Sequence, residues 1–382
     1  MIRVLQSKIS RISIAALLAA AVLGFSGCAS PATSFTTTFT PTVSTPLATL
    51  STPFTAPLTT VVTTPSTPSV STTTSTVASY DFFTIAVLPD TQYYSQKYPE
   101  IFTKQTQWIA DNAQAQKIVF VSHEGDIVDN YSSENDYQWK NAQKAMGIIR
   151  DAGIPYSVVP GNHDVNFTTG DTTYYDKYFP FTDFTGYSWY GSGKYPPLNG
   201  APQPNFPANS NASNFETFTA MGQNFMILNL ACTPNVLANA KLYNWANSVL
   251  QYYTNYKAIV VTHGYIDTQG NYTDSSSVSG IEIWQNVVKP NSNVAAVFCG
   301  HVHGEYHAAV TADHGNKVEN LLFDTQEEGR GGNGWLRLYK FYPEQNKVYA
   351  MTYSPYLNQY DTSSHGEFDF NLEMTKAAAQ KQ

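Results

Sequence analysis

The stretch "CGHVHGEYH" at residues 299–307 closes an apolar run and holds three of the chain's eight histidines. A lone histidine is usually a surface residue or a core residue with a satisfied hydrogen bond. A His-x-His pair behind a strand-like run is less ordinary, because it presents two imidazoles from one short turn, and imidazole is the commonest side-chain metal ligand. His301 and His303 are therefore candidate ligands, provided that the chain supplies others.

Four other strand-like runs also end in polar residues. These are Asp90 and Gln92 in "LPDTQ", Asp126 and Asp129 in "GDIVD", Asn162, His163 and Asp164 in "GNHD", and His263 in "THG". The carboxyl ends of parallel strands meet at one edge of an α/β sheet, and such folds place their sites there. The sequence therefore predicts that the five polar clusters converge.

Helix-like stretches separate these strands, for example "PEIFTKQTQWIADNAQAQ" at 99–116 and "NVLANAKLYNWANSVLQYYTN" at 235–255. The final third is rich in strand-like runs such as "NLLFDT", "GWLRLYKFY" and "KVYAMTY". Alternating strands and helices followed by further strands predict a single α/β domain with a layered sheet core, over residues 80–376.

The donors in the clusters are chemically mixed. Carboxylate, amide oxygen and imidazole together suit a divalent or trivalent metal such as Mn, Fe or Zn. A structural zinc site would more often show a closed set of four ligands, frequently cysteines. Here seven donors are present, enough for two ions that share one carboxylate: Asp90, Gln92, Asp126, Asn162, His263, His301 and His303. Two ions about 3.5–4 Å apart stabilise the attacking and leaving oxygens of a displacement at phosphorus.

The ordered set "DTQ", "GDIVD", "GNHD", "THG" and "GHVH" resembles the calcineurin-like metallophosphoesterases, and "LPDTQ" is similar to one branch of that superfamily. The resemblance covers roughly residues 83–355. It implies a four-layer αββα sandwich with the metals at the sheet edge. It also implies a metal-dependent hydrolase of phosphate mono- or diesters, with a small phosphate ester as substrate.

The resemblance further implies a role for each matching residue. One metal would be held by Asp90, Gln92, Asp126 and His303, and the other by Asp126, Asn162, His263 and His301. A metal-bridging hydroxide would be the nucleophile. His163 would assist the leaving group as a general acid or charge stabiliser, and Asp129 would orient and charge-pair His163. His307 has no role in the family pattern and is predicted to be structural. His123 and Glu124 either support the site or pack beside the sheet edge.

Two departures from the family pattern bear on the substrate. Many relatives have histidine where this chain has Gln92, and an amide oxygen is a harder and weaker donor. Many phosphatases of the family have arginine at the position of Asn130, so a bidentate phosphate clamp is missing here. Diesters and nucleotide-like substrates are thereby favoured over phosphoproteins. Arg330 in "EEGRGGNGW" is either a replacement cation or a surface residue.

The first 79 residues differ in character from the rest. Arg3, Lys8 and Arg11 precede the apolar run "ISIAALLAAAVLGF", a pattern typical of a signal segment, assigned to 1–27. Cys28 ends "FSGC" and resembles a lipoprotein attachment site; an ordinary cleaved signal and an uncleaved anchor are the alternatives. Residues 28–79 are mostly Thr, Ser, Pro, Ala and Val, which predicts a disordered linker. An exported protein tethered to a membrane is expected.

Composition narrows the function classes. The net charge is −8 and there is no basic cluster beyond the N-terminus, so no nucleic-acid partner is expected. Three cysteines cannot build a disulfide framework. The aromatic-rich segment 165–213 follows "GNHD" directly and is expected to cap the site, either contacting substrate or packing onto the domain. The alternative to an enzyme is a surface binding or structural module on a silent scaffold.

Overall fold

The structure, a computed structural model, describes residues 81–132, 136–197, 200–231, 236–274 and 279–374. The predicted signal segment 1–27, the linker 28–79 with Cys28, and the outermost domain residues 80, 375 and 376 lie outside the described residues. Within the described ranges, no helix has the length and apolar character needed to cross a membrane.

Fourteen strands are described within these ranges. They are β1 Phe83–Leu88, β2 Ile118–His123, β3 Tyr156–Val158, β4 Asn205–Phe206, β5 Ser213–Ala220, β6 Gln223–Leu230, β7 Lys257–Thr262, β8 Val294–Cys299, β9 Gly304–Thr311, β10 Lys317–Asp324, β11 Leu336–Tyr342, β12 Lys347–Ser354, β13 Gln359–Asp361 and β14 Glu367–Asn371.

The helices alternate with the strands in the first two thirds of the domain. They are α1 Gln92–Lys97, α2 Pro99–Asn112, α3 Asp136–Asp151, α4 Thr173–Tyr178, α5 Val236–Tyr252, α6 Gly280–Ile283 and the short turn α7 Gly329–Gly332. A 3-10 turn at Asn162–Asp164 follows β3, and a π-helical turn at Trp284–Val288 extends α6.

The strands form two sheets. The first has the order β13-β12-β11-β1-β2-β3, with β14 also paired to β12, and the second has the order β4-β5-β6-β7-β8-β10-β9. Strands β1, β2 and β3 run parallel, as do β6, β7, β8 and β10. Each set therefore ends at one edge of its sheet, as the sequence pattern predicts.

The sheets pack face to face because their strands are apolar on both sides. In β1, Phe83, Ile85 and Val87 point into the core between the sheets, whereas Ala86 and Leu88 face helices α2 and α3. Phe83 stacks on Phe341 of the first sheet, with ring centroids 4.9 Å apart, and meets Phe225 of the second sheet at 5.2 Å.

Helices cover both outer faces. Trp139 and Met146 of α3 pack against the first sheet, and Leu242 and Val249 of α5 pack against the second. The order of layers is helix, sheet, sheet, helix. The predicted α/β fold and its four-layer αββα sandwich are confirmed.

Candidate metal centre

The ends of β1, β2, β3, β7 and β8 bring the five predicted clusters together. Asp90, Gln92, Asp126 and His263 are buried, Asn162 and His301 are partly buried, and His303 is exposed over 45% of its side chain. The sites of the two predicted ions differ in how tightly their donors cluster.

Four donor atoms converge at the predicted second ion. The Nε2 atom of His263 lies 3.0 Å from Asn162 Oδ1, 3.1 Å from Asp126 Oδ2 and 3.2 Å from His301 Nδ1. A single imidazole nitrogen cannot hydrogen-bond all three. Donors about 2.1 Å from a shared ion lie roughly 3.0–3.4 Å apart, so this spacing fits one cation. Asp126, His263 and His301 also form a candidate metal-binding group by the mutual distances of their donor atoms.

The ring of His263 is oriented by its other nitrogen. Its Nδ1 lies 3.2 Å from the main-chain carbonyl oxygen of Glu124. An N–H donated to that carbonyl leaves the lone pair on Nε2 free, and this arrangement is common for metal-binding histidines. Asp126 and burial act in opposite directions on the pKa of His263: burial lowers it, Asp126 raises it, and the net change is upward.

The donor atoms predicted for the first ion converge less closely than those of the second. Asp90 is buried and accepts hydrogen bonds from the His301 amide at 3.3 and 3.4 Å. Gln92 begins α1, is 2% exposed, and its Oε1 has no hydrogen-bond partner among the described residues. An unpaired buried oxygen is costly unless a cation or donor approaches it. The amide at position 92 therefore fits a metal ligand.

Electrostatics favour a cation at this edge. Burial, followed by the charges of Asp324 and Asp126, raises the pKa of Asp90 well above its usual range. Burial and the neighbouring His263 lower the pKa of His301 to about 4, so its imidazole is neutral at physiological pH and has a lone pair to give. Bound cations would relieve the repulsion between Asp90, Asp126 and Asp324.

Backbone strain is concentrated in the ligand turns. Asp126 has φ 46° and His301 has φ 70°, both in the left-handed region that most residues avoid. Two glycines make room for the carboxylates, since a Cβ on Gly161 would lie 2.1 Å from Asp126 Oδ1, and one on Gly300 would lie 2.1 Å from Asp90 Oδ2. The "GN" and "GH" turns therefore need glycine for space beside the ligands.

Asp164 has a positioning role that the ligand pattern did not reveal. Its buried carboxylate accepts from the amides of Ile127 at 3.0 Å, Val128 at 2.9 Å and Gly161 at 2.8 Å. It thereby ties the turn after β2 to the turn after β3. Despite these bonds, burial and the charge of Asp126 raise the pKa of Asp164 to about 7. Its place beside His163 in "GNHD" was the available signal.

His123, the last residue of β2, contacts the turn after β2 and the turn after β1. Its Nδ1 lies 3.2 Å from the Gly125 amide and its Nε2 lies 2.9 Å from Thr91 Oγ1. Burial lowers the pKa of His123 to about 3, so the ring is neutral and structural. The neighbouring Glu124 is fully buried, and neither carboxylate oxygen has a hydrogen-bond partner among the described residues.

His163 lies at the mouth of the site, with 40% of its side chain exposed. Its main-chain amide donates to Asp126 Oδ1 at 3.0 Å, and its ring Nδ1 lies 2.7 Å from the main-chain oxygen of Asp129. The Asp129 carboxylate is farther away, at 4.0 Å, and accepts a short hydrogen bond from Gln96 instead. Asp129 therefore contacts His163 chiefly through its backbone.

The remaining predicted residues lie as follows. Arg330 is exposed and its guanidinium lies 5.8 Å from the Tyr356 ring centroid. Asn130 is exposed and accepts from the Ser132 amide. His307 stacks on Phe368 with ring centroids 3.8 Å apart.

In segment 165–213, Tyr175, Phe184 and Tyr190 are buried in the same hydrophobic core as Trp139, so the aromatic residues of this segment largely pack onto the domain. A capping role for this segment stays a prediction.

Comparisons with known proteins bear on the family of this chain. The family model "Calcineurin-like phosphoesterase" matches residues 83–305. The uncharacterized protein YvnB of Bacillus subtilis (strain 168) is 34% identical over 308 residues, which is 77% of this chain and 22% of that protein. The chain thus spans about a fifth of that relative's length.

Two solved structures are also similar. GAP50, the anchor in the inner membrane complex of Plasmodium, is 15% identical with a TM-score of 0.47, covering 77% of this chain and 90% of that one. A dimetal phosphatase from Danio rerio is 11% identical with a TM-score of 0.46, covering 76% of this chain and 99% of that one.

The variant Asp126→Asn tests the shared carboxylate. Loss of the Asp126 charge, which lies 3.1 Å from His263 Nε2 at Oδ2, should weaken the binding of both ions. Turnover should fall by about 10³-fold, on the scale of losing a major electrostatic contribution. Metal counting beside steady-state kinetics is the measurement, with the exposed helix residue in Asp111→Asn as control. Near-normal turnover with two bound ions would contradict the assignment.

The variant Gln92→His tests the first ion's amide ligand. Imidazole binds borderline transition metals better than an amide oxygen, so Zn²⁺ should be retained more tightly. Turnover should be equal or lower, because a misfit of about 1 Å can cost 10²-fold in rate. Chelator competition followed by metal counting provides the readout, and Gln114→His on the exposed surface controls for an added histidine. Unchanged or faster metal loss would show that position 92 does not face the ion.

Proposed function

The chain belongs to the calcineurin-like phosphoesterase family, and we propose that it is a metal-dependent hydrolase that cleaves small phosphate esters at a two-metal centre. The observation that carries the proposal is the convergence of Asn162 Oδ1, Asp126 Oδ2 and His301 Nδ1 within 3.2 Å of His263 Nε2. The unpaired Oε1 of Gln92 supports a second ion beside it.

The predicted ligands form two sets that share Asp126. Asp126, Asn162, His263 and His301 would hold one ion, and Asp90, Gln92, Asp126 and His303 the other, whether Mn, Fe or Zn. When bound, the two ions would supply Lewis acidity toward the phosphoryl oxygens and activate the attacking water. The buried carboxylates would hold the two ions close together.

His163 would move the proton. A bond from its Nδ1–H to the Asp129 carbonyl, 2.7 Å away, fixes the ring and leaves Nε2 for the substrate. In the protonated ring, the Asp129 carboxylate 4.0 Å away would add a favourable charge. His163 would then donate a proton from Nε2 to the leaving oxygen.

The surroundings favour phosphodiesters over monoesters. A monoester dianion needs more positive charge than a diester monoanion, and Asn130 offers none where relatives place arginine. Arg330 lies against Tyr356, together with Lys104 at 5.2 Å from the same ring. Both cations thus lie against the Tyr356 ring in this arrangement.

Export belongs to the same proposal. The basic residues and apolar run of segment 1–27 support secretion, and "FSGC" supports a lipid anchor at Cys28. The linker 28–79 would then hold the enzyme away from the membrane surface. Small phosphate esters outside the cytoplasm are the substrates that this arrangement favours.

A paired substrate assay tests the reaction. Bis(p-nitrophenyl) phosphate and p-nitrophenyl phosphate are compared with Mn²⁺ added, with and without chelator. The expected result is chelator-sensitive hydrolysis of both, with kcat/KM for the diester equal to or above that for the monoester. Protein that carries two ions but turns over neither ester, nor a wider panel including pyrophosphates, would favour a silent scaffold instead.

The variant His163→Ala separates proton transfer from metal binding. Metal content should stay near two ions, while kcat should fall by roughly 10²–10⁴, the usual range for acid–base assistance. His314→Ala serves as control, since His314 is exposed and its ring Nε2 lies 3.1 Å from the Pro290 carbonyl oxygen. Loss of an ion in the His163 variant would make this residue a ligand and overturn the division of roles.

A further inference from the structure

One further parallel strand, besides the five that precede the predicted clusters, ends at the edge where the ligands meet. Strand β10 runs parallel to β8, and its last residue is Asp324. The Asp324 side chain has no solvent exposure. Its Oδ1 accepts from the Gln326 amide at 2.9 Å, whereas its Oδ2 is buried with no hydrogen-bond partner among the described residues.

The unpaired oxygen faces the first metal site. Asp324 Oδ2 lies 4.0 Å from His303 Nε2. Both residues line a cleft of about 310 Å³, whose walls also include Gly304, Glu305, Thr325, Glu327 and Glu328. Of the other acidic groups, Glu305 pairs with Arg337, Glu327 is 60% exposed, and Glu328 accepts from Trp335. Among the acidic residues of this cleft, Asp324 therefore combines full burial with a carboxylate oxygen that has no hydrogen-bond partner among the described residues.

The free oxygen needs a positive partner. A buried carboxylate without one is costly, and its group either takes up a proton or binds a cation. The Oδ2 atom of Asp324 lies 4.0 Å from His303 Nε2, close enough for one ion to lie between the two atoms. An ion placed among Asp90, Asp324 and His303 would satisfy these groups together.

We propose that Asp324 is a further ligand of the first metal ion, binding it through Oδ2 on the side of His303. The inference rests on the proposed two-metal function. Asp90, Asp126 and Asp324 would then give this ion three carboxylates beside the neutral amide of Gln92. The added charge offsets the weaker amide donor, and an oxygen-rich set favours a hard ion such as Mn²⁺ over Zn²⁺.

The variant Asp324→Asn tests the ligand role through metal binding. It keeps the size of the side chain and the acceptor for the Gln326 amide but removes the charge. Chelator competition with Mn²⁺ and metal counting should show at least roughly tenfold weaker retention of one ion, with the other ion changed less than twofold. Glu319→Gln is the matched control, because Glu319 is buried on the same strand, five residues earlier.

Thermal unfolding of the same variant separates a ligand from a structural group. Without metal, loss of an unpaired buried charge should raise Tm, whereas the stabilisation gained on adding Mn²⁺ should shrink. A merely structural aspartate would lower Tm in both states and leave Mn²⁺ retention unchanged, which overturns the proposal. If Asp324→Asn does not fold, Asp324→Ser removes the same carboxylate for the comparison.

The number of Mn²⁺ ions bound by the wild-type protein distinguishes failure of the Asp324 proposal from failure of the two-metal proposal. Two Mn²⁺ ions per wild-type chain with unaltered binding in the variant would reject the role of Asp324 alone. Fewer than two ions in the wild type would reject the two-metal centre, and the role of Asp324 with it.

Discussion

Like charges buried at the sheet edge are the constraint on which this structure depends. Asp90, Glu124, Asp126 and Asp324 are each at most 2% exposed, and the ends of parallel strands bring them together. Carboxylates taken out of water repel one another and lose hydration, which the hydrophobic core cannot offset locally. Metal ions bound at this edge would attract these carboxylates, and the relief of their repulsion would add to the free energy of metal binding. Stability and metal content of the domain are therefore expected to be linked.

The protein offsets one part of this charge internally. Arg337 of β11 is 1% exposed, pairs with Glu305 of β9 and lies over the Phe323 ring, with 4.3 Å to its centroid. It thus joins the first sheet to the second, and its charge opposes the effect of burial on the pKa of Glu124. A cation from the chain thus acts on Glu124, whereas Asp90, Asp126 and Asp324 would be neutralised by bound ions in the proposed centre.

Much of this arrangement could be predicted from the sequence, because it depends on local patterns. Apolar runs that end in "DTQ", "GD", "GNHD", "THG" and "GHVH" indicate both the parallel strands and the polar edge. The role of Asp324 could not be predicted in this way. Its strand "NLLFDT" lies in the β-rich final third, and only the pairing of β10 with β8 shows that it runs parallel and ends at the site. Strand order in a sheet is set by long-range packing, which a local pattern does not encode.

The contact between Asp129 and His163 shows a second limit of sequence patterns. The family resemblance implies a carboxylate of Asp129 beside the imidazole, yet the nearest oxygen of that residue belongs to the main chain, 2.7 Å from Nδ1. Gln96 of α1 donates to one oxygen of the carboxylate, and the other oxygen lies 4.0 Å from the ring nitrogen. The tautomer of His163 is then fixed by a backbone group that no side-chain substitution at position 129 removes. Tautomer control and charge stabilisation, which one aspartate often supplies together, are divided here between the carbonyl and the more distant carboxylate of the same residue.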